Sequence, residues 1–259
     1  MRSSNPALND STFEKAAQEW APPTGQPHEI DTSDRMTFGG TLTATAVLLV
    51  LLVAAGTVGW MSVEQPTNEF ESLTIPVWFW FAMFGALGVA FLTIFKPHLA
   101  RFSAPIYAVL EGLVVGIISA LYNFQFSGIV LQAVGLTIGV IAIMLFLYAT
   151  RIIKVTEKLR MGIVAATGAV FLIYIVSMIA NLFGADVPYI HDNGLVGIGF
   201  SVAVVGIAAF NLLLDFDLIE AGVAKGAPTY MEWYASFGLL VTIVWLYLEM
   251  LRLLAKIRR

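Results

Sequence analysis

Seven long apolar stretches divide this sequence of 259 residues, and no other feature restricts its fold as much. A helix needs about 20 mostly apolar residues to cross the hydrocarbon core of a bilayer. Each stretch has about that length. The sequence therefore predicts an all-α fold, a polytopic membrane bundle of about seven transmembrane helices. The stretches run approximately over residues 38–61, 73–95, 104–123, 129–150, 161–184, 194–220 and 234–255.

Composition supports the membrane interpretation, because only 12% of the residues are charged and 58% are hydrophobic. A soluble domain usually carries roughly a quarter charged residues. Residues 1–37 differ from the rest, since they contain six acidic residues and few large apolar side chains. Such a segment cannot bury enough apolar surface to become ordered. We expect a disordered N-terminal tail over residues 1–37 and a transmembrane domain over residues 38–259.

The basic residues predict the orientation of the chain, because cytoplasmic loops are enriched in Lys and Arg. Ten of them lie in the N-terminal tail and in the second, fourth and sixth loops, and none lies in the other three loops. The N-terminus is therefore predicted to be cytoplasmic. The C-terminal tail conflicts with this pattern, since its four basic residues would lie outside after seven crossings. Either the tail is an exception or one apolar segment does not cross fully, and the side of the C-terminus stays open.

Glycines spaced four residues apart occur in two of the predicted helices. Gly112 and Gly116 lie in the third helix, and Gly135 and Gly139 lie in the fourth. Small residues at this spacing let two helix backbones approach closely in lipid. The alternative is that glycine is simply common in membrane helices.

Acidic side chains are rare inside the apolar stretches, where each charge costs on the order of 2.5–3.5 kcal/mol on insertion scales. Glu111 lies in the middle of the third stretch, Asp215 and Asp217 near the end of the sixth, and Glu249 toward the end of the seventh. Asp215 is the strongest candidate for a functional site, because no basic residue lies near it in the sequence. Structural alternatives are a hydrogen bond for Asp215, a protonated carboxyl for Glu111, a solvated helix end for Asp217, and a surface pair with Arg252 for Glu249.

Two asparagines are candidates for a supporting role. Asn211 precedes Asp215 by four residues and therefore shares its helix face. Asn123 lies at the end of the third stretch, where a hydrogen bond between helices is its simplest role.

Several chemistries lack the residues they need. All three histidines lie outside the apolar stretches, which argues against haem and against His-based metal catalysis in the membrane. The seventh stretch has no lysine before Lys256 for a retinal Schiff base, and Ser201 has no membrane histidine to activate it as a nucleophile. A P-loop and a basic aromatic stretch are also absent, which argues against ATP-driven transport and nucleic-acid binding. We therefore expect no enzyme, no cofactor and no assigned metal site.

Buried acids without basic neighbours indicate cations or protons as ligands. Carboxylate oxygens are ligands that Ca²⁺ prefers. Two carboxyls that lie close together titrate as a coupled pair. We therefore hypothesise a path for Ca²⁺ or H⁺ in which protonation of Asp215 and Glu111 controls the flow of cations.

A longer pattern around Asp215 resembles the Bax inhibitor-1 family, also called the transmembrane Bax inhibitor motif family. The seven short helices agree with this resemblance, and two runs are similar to the bacterial branch of the family. The run that carries the resemblance is Leu214-Asp215-Phe216-Asp217-Leu218-Ile219, followed by Gly226 and by Thr229-Tyr230-Met231-Glu232, with Glu111-Gly112-Leu113-Val114-Val115-Gly116 in the third helix. The two runs similar to the bacterial branch are Ile153-Lys154-Val155-Thr156-Glu157-Lys158 and Met231-Glu232-Trp233-Tyr234.

The resemblance implies a seven-helix protein of the bacterial cytoplasmic membrane. Members of the family are associated with a pH-sensitive Ca²⁺ leak, with cell-death suppression in eukaryotes, and in some bacteria with modulation of a membrane protease. The resemblance also implies that Asp215 is the first of two aspartates that sense protons between helices six and seven. A gapless reading places the second near Leu240, and a reading with an insertion places it at Glu249. The gapless reading implies that Asp215 acts alone or with another partner such as Glu111.

The sequence therefore favours a pH-sensitive cation leak with Asp215 as the sensor. The alternative is a regulator that transports nothing and binds other membrane proteins, such as a membrane protease, through its polar tail and its glycine faces. An intramembrane enzyme has the least support, because no nucleophile and base form a pair in the apolar stretches.

Overall fold

The computed structural model describes residues 34–64, 74–183 and 194–258, and within these ranges the regular structure is helical, with two isolated β-bridges. Seven of its helices are long and apolar enough to cross a membrane, which confirms the predicted number. Most of the predicted tail, residues 1–33, lies outside the described residues. The helices are α1 (Phe38–Met61), α2 (Trp78–Phe95), α3 (Ala100–Gln125), α4 (Ile129–Ala149), α5 (Glu157–Leu182), α6 (Leu195–Ala224) and α7 (Tyr230–Ile257).

Several helix ends differ from the prediction because capping residues, rather than hydropathy, fix them. Helix α5 begins at Glu157, where the Thr156 side chain accepts a hydrogen bond from the backbone N–H of Leu159 at 3.3 Å. Helix α6 continues to Ala224, beyond the predicted end at residue 220. It stops before Gly226, whose φ of 64° is a left-handed conformation that glycine adopts without strain. Helix α3 begins at Ala100 and includes Pro105, which hydropathy had placed at the helix start.

The chain divides into two compact units, and α3, α6 and α7 contribute to both. Unit 1 comprises the chain up to Leu121 together with Asp215–Val241. Unit 2 comprises Tyr122–Leu214 together with the chain from Thr242 onward.

In unit 1, α1 and α3 meet through their backbones at glycine. A Cβ added to Gly116 would overlap the backbone of Gly56, and one added to Gly112 would overlap the carbonyl of Leu52. On the α1 side, a Cβ at Gly59 would overlap the backbone of Leu113. The close helix contact predicted from Gly112 and Gly116 is therefore present, because these positions leave no room for a side chain.

In unit 2, the glycine pair of α4 behaves differently. A Cβ added to Gly135 or to Gly139 would meet no described atom within 4 Å. The same spacing that brings α3 against α1 therefore leaves an open face on α4. Spacing alone does not decide which glycine pair has a partner helix.

Two basic residues near the C-terminus make contacts within unit 2. The Lys256 ammonium donates to the carbonyl of Gly197 at 3.0 Å, in the first turn of α6. Arg258 donates to the carbonyl of Ser127 and to the side-chain oxygen of Gln132, both at 2.8 Å. The end of α7 therefore lies beside the α3–α4 turn and the start of α6, as seven full crossings require. These basic groups therefore bind carbonyl and amide oxygens of the protein.

We expect Gly116→Leu to lower the stability of the purified protein by about 1–3 kcal/mol, the usual cost of forcing extra side-chain volume into a packed contact. The matched variant Gly135→Leu should change stability little, because its side chain enters open space. Unfolding of both variants in mixed detergent–SDS micelles, followed by circular dichroism, measures the difference. Equal stability of the two variants would contradict the α1–α3 contact.

Candidate functional site

Asp215 is the most deeply buried acid in the described part of the chain, with 0% of its surface exposed. It lies on α6, and the leucines along the same helix at positions 212, 213, 214 and 218 are also buried. Buried charged groups in proteins are paired or bind ions, because removing a charge from water is costly. The position of Asp215 therefore suits a group whose charge is balanced by a proton, a cation or a polar contact.

Asp217 and Glu220 follow Asp215 on α6 and are only partly buried. Asp217 points about 200° away from Asp215 around the helix, since each residue advances the helix by about 100°. The prediction that α6 ends at Glu220 was wrong, because the helix continues for another turn to Ala224. Both acids therefore lie within the last three turns of α6.

Glu111 lies on α3 in unit 1, the same unit that contains Asp215, and it is partly buried. One turn earlier, the buried ring of Tyr107 packs edge-on against Phe237 of α7, with the ring centroids 4.9 Å apart. This contact fixes α3 against the first half of α7. Glu111 is thus carried by a helix that is packed on one side against α1 and on another against α7.

The two places that the resemblance offers for a second aspartate differ strongly. Leu240 of α7, the gapless match, is completely buried and belongs to unit 1. Glu249, the match that needs an insertion, belongs to unit 2. A leucine can neither bind a proton nor coordinate a cation, so the gapless position contributes only packing.

Glu249 is the buried member of an ion pair in unit 2, with 2% of its surface exposed. Arg252 donates to both of its carboxylate oxygens, at 2.8 and 3.0 Å, and the Tyr174 hydroxyl donates to one of them at 2.9 Å. The Arg252 guanidinium also lies over the Tyr174 ring, 4.9 Å from its centre. The charge of Glu249 is therefore balanced within the protein, by an arginine whose side chain is 37% exposed.

The two asparagines both make structural hydrogen bonds. Asn211 of α6 is buried and donates to the hydroxyl of Thr167 on α5 at 2.9 Å. The side-chain oxygen of Asn123 accepts a hydrogen bond from the backbone N–H of Gly128 at 3.0 Å. Asn211 therefore joins two helices of unit 2, and Asn123 stabilises the turn between α3 and α4.

A buried acid that sequence reasoning missed also lies in unit 1. Glu232, in the first turn of α7, is 7% exposed, and one of its carboxylate oxygens accepts from the backbone N–H and the hydroxyl of Thr37, at 2.8 and 2.9 Å. Thr37 is the N-cap of α1, and a Cβ on Gly40 would overlap the Glu232 carboxylate. The carboxylate therefore lies at the positive end of the α1 dipole, where negative charge is stabilising.

The chain just before α1 is fixed to the α6–α7 loop in the same place. The backbone N–H of Met36 donates to the carbonyl of Ala227 at 2.6 Å, and that of Thr229 donates to the carbonyl of Asp34 at 3.0 Å. Met36 is itself buried. Residues 34–37 therefore join the start of α1 to the loop that leads into α7.

The sequence held two signals for this contact. Thr37 is a favoured N-cap residue directly before an apolar helix, and the first turn of α1 contains no acid of its own. Neither signal names the partner, because Glu232 is 195 residues away in the chain.

Among the residues that the structure describes, no group of three or more His, Cys, Asp or Glu side chains is arranged to hold a metal ion.

Seven membrane-length helices with acids buried among them define a polytopic integral membrane protein, whose solvent is the lipid bilayer. The family model described as Bax inhibitor 1 like matches residues 5–259, nearly the whole chain. The protein belongs to the Bax inhibitor 1 like family, which confirms the resemblance seen in the sequence. No curated protein matches the chain.

We expect Glu232→Ala to lower stability by about 1–2 kcal/mol, because it removes two hydrogen bonds to the N-cap of α1 and a charge that balances the helix dipole. Glu232→Gln keeps a hydrogen-bond acceptor and should therefore lower stability by less than Glu232→Ala. Thermal unfolding of the purified protein in detergent measures both effects. If Glu232→Ala unfolds at the wild-type temperature, the contact with Thr37 does not stabilise the fold.

Proposed function

We propose that this protein is a pH-sensitive cation leak channel, with Ca²⁺ as the conducted ion and Asp215 as the group that senses protons. The complete burial of Asp215 on a membrane-spanning helix is the observation that carries this proposal. Ionisable residues inside membrane helices are costly to insert and commonly mark ion or proton pathways. The proposal includes no catalysis and no cofactor.

The chemistry of a carboxyl group links cation flow to pH. An ionised carboxylate offers oxygen ligands that suit Ca²⁺, whereas a protonated carboxyl is neutral and becomes a hydrogen-bond donor. A proton and a cation therefore compete for the same group. Such competition makes flux depend on pH through a single side chain.

Glu111 is the second acid that the proposal involves. It lies in the same unit as Asp215, on a helix packed against α1 and α7. Glu249 suits the role less, because Arg252 and Tyr174 already bind its carboxylate. Asp217 remains a weaker candidate, since it is only partly buried and points away from Asp215.

A second candidate function is regulation of another membrane protein, such as a membrane protease, without transport. The open face of α4 at Gly135 and Gly139 favours it, because small residues on an exposed membrane helix allow a partner helix to approach closely. In this proposal Asp215 has only a structural role.

Calcium flux into proteoliposomes separates the two functions. We expect wild-type protein to conduct Ca²⁺ at a rate that changes with pH, because protonation neutralises the carboxylate that would bind the cation. Asp215→Asn should remove this pH dependence, because an amide cannot be protonated, and Glu111→Gln should alter it. Glu220→Gln is the matched control, an acid-to-amide change on the same helix.

Two results would count against the channel. One is a pH-dependent flux that Asp215→Asn leaves unchanged. The other is no flux above empty liposomes at any pH from protein that is folded and monodisperse, and this result would favour the regulator.

We also propose a bacterial cytoplasmic membrane as the location, with the N-terminus in the cytoplasm. The support is the ten basic residues in the tail and in three loops of one side. The chain contains no cysteine, so a single introduced cysteine can be labelled without background. We expect a membrane-impermeant maleimide to label Ser127→Cys in intact cells and to label Thr150→Cys only after lysis. The reverse pattern would invert the orientation.

A further inference from the structure

A groove in unit 2 opens between the first half of α5 and the middle of α6. It has a volume of about 250 Å³ and includes Gly162 and Ala166 from α5 and Ile207 and Phe210 from α6. Lys158 is its one charged lining residue, and the other lining residues are apolar. A Cβ added to Gly162 would meet no described atom within 4 Å, so the wall of the groove is open at this point.

The direction of the groove matches that of a lipid chain. Lys158 lies one residue after the start of α5, where the helix enters the membrane, and Ala166 lies about 12 Å deeper along the axis, at 1.5 Å per residue. Lys158 and Gly162 are four residues apart and so lie on the same face of α5. The groove therefore runs from the membrane surface into the hydrocarbon region.

The surroundings of Lys158 are basic and exposed. Arg151 and Lys154 precede it in the α4–α5 connection, and all three side chains are exposed. Glu157 is also exposed, but it lies about 100° away around the helix from Lys158. Basic residues at a membrane surface attract acidic lipids, whereas a zwitterionic lipid gains little from them.

We propose that this groove binds an acidic phospholipid, with an acyl chain between α5 and α6 and the headgroup phosphate on Lys158. The lysine stem extends along the apolar wall while its ammonium stays at the surface. Helix α5 suits this role because only 17% of the residues in its most apolar segment are buried by protein. The helix therefore faces lipid along most of its length. The proposal requires neither ion conduction nor a protein partner.

Native mass spectrometry of the full-length protein tests the proposal with two probes, phosphatidylglycerol and phosphatidylcholine with the same acyl chains. We expect wild-type protein to retain phosphatidylglycerol in preference to phosphatidylcholine. Lys158→Gln should reduce this preference by roughly fivefold, the factor given by about 1 kcal/mol per lysine at a membrane surface. Lys158 is exposed, so this variant tests the site without disturbing the core.

A second pair of variants tests the groove itself. Gly162→Leu fills the groove and should reduce retention of both lipids, whereas Gly168→Leu is the matched control. Gly168 lies on the same helix, also has open space at its Cβ position, and does not line the groove. Soluble glycerol phosphate should not displace the lipid, because it has no chain to fill the groove.

The proposal is overturned if Lys158→Gln keeps the wild-type preference for phosphatidylglycerol. It is also overturned if Gly162→Leu and Gly168→Leu retain lipid equally, or if glycerol phosphate displaces the lipid at comparable concentration.

Discussion

The bilayer offers no water to the backbone, and every element of this fold follows from that constraint. Each peptide N–H and C=O in the hydrocarbon region must find a partner inside the protein, which only a helix provides within a single segment. The same constraint acts on side chains, because lipid is as apolar as leucine and gives helices no hydrophobic reason to associate. Close backbone contact at Gly56 and Gly116 is one answer to this problem. Hydrogen bonds such as that between Asn211 and Thr167 are another.

Three buried acids show three ways in which the protein accommodates a carboxyl group. Glu232 lies at the N-terminus of α1, where backbone and hydroxyl donors and the helix dipole stabilise its charge. Glu249 is balanced by a guanidinium and a phenol, at a desolvation cost that its close hydrogen bonds offset in part. Asp215 lies among buried leucines on α6. The first two carboxylates hold helices in place, and the sensing role proposed for the third rests on its complete burial on a membrane-length helix.

Hydropathy was sufficient to predict the seven helices, and the resemblance to the family was confirmed. Hydropathy and residue spacing did not identify which residues contact each other. Gly112 and Gly135 begin the same motif, and only the first has a helix packed against it. Glu232 looks like an ordinary acid in a first turn, since Thr37 is far away in sequence. The end of α6 was misplaced because Asp217 and Glu220 lower the hydropathy of a helix that only Gly226 ends. In each case a contact distant in sequence, or a local backbone conformation, decided the outcome.

The leucine at position 240 limits which side chains could act together with Asp215 in the proposed sensor. Two neighbouring carboxyls share a proton and lose it in coupled steps, so a paired sensor responds over a broad pH range. With Leu240 buried at the gapless position, α7 supplies no second carboxyl there, and Glu249 is already bound by Arg252 in the other unit. In the proposed sensor a second carboxyl would have to come from another acid, and Glu111 on α3 of unit 1 is one candidate.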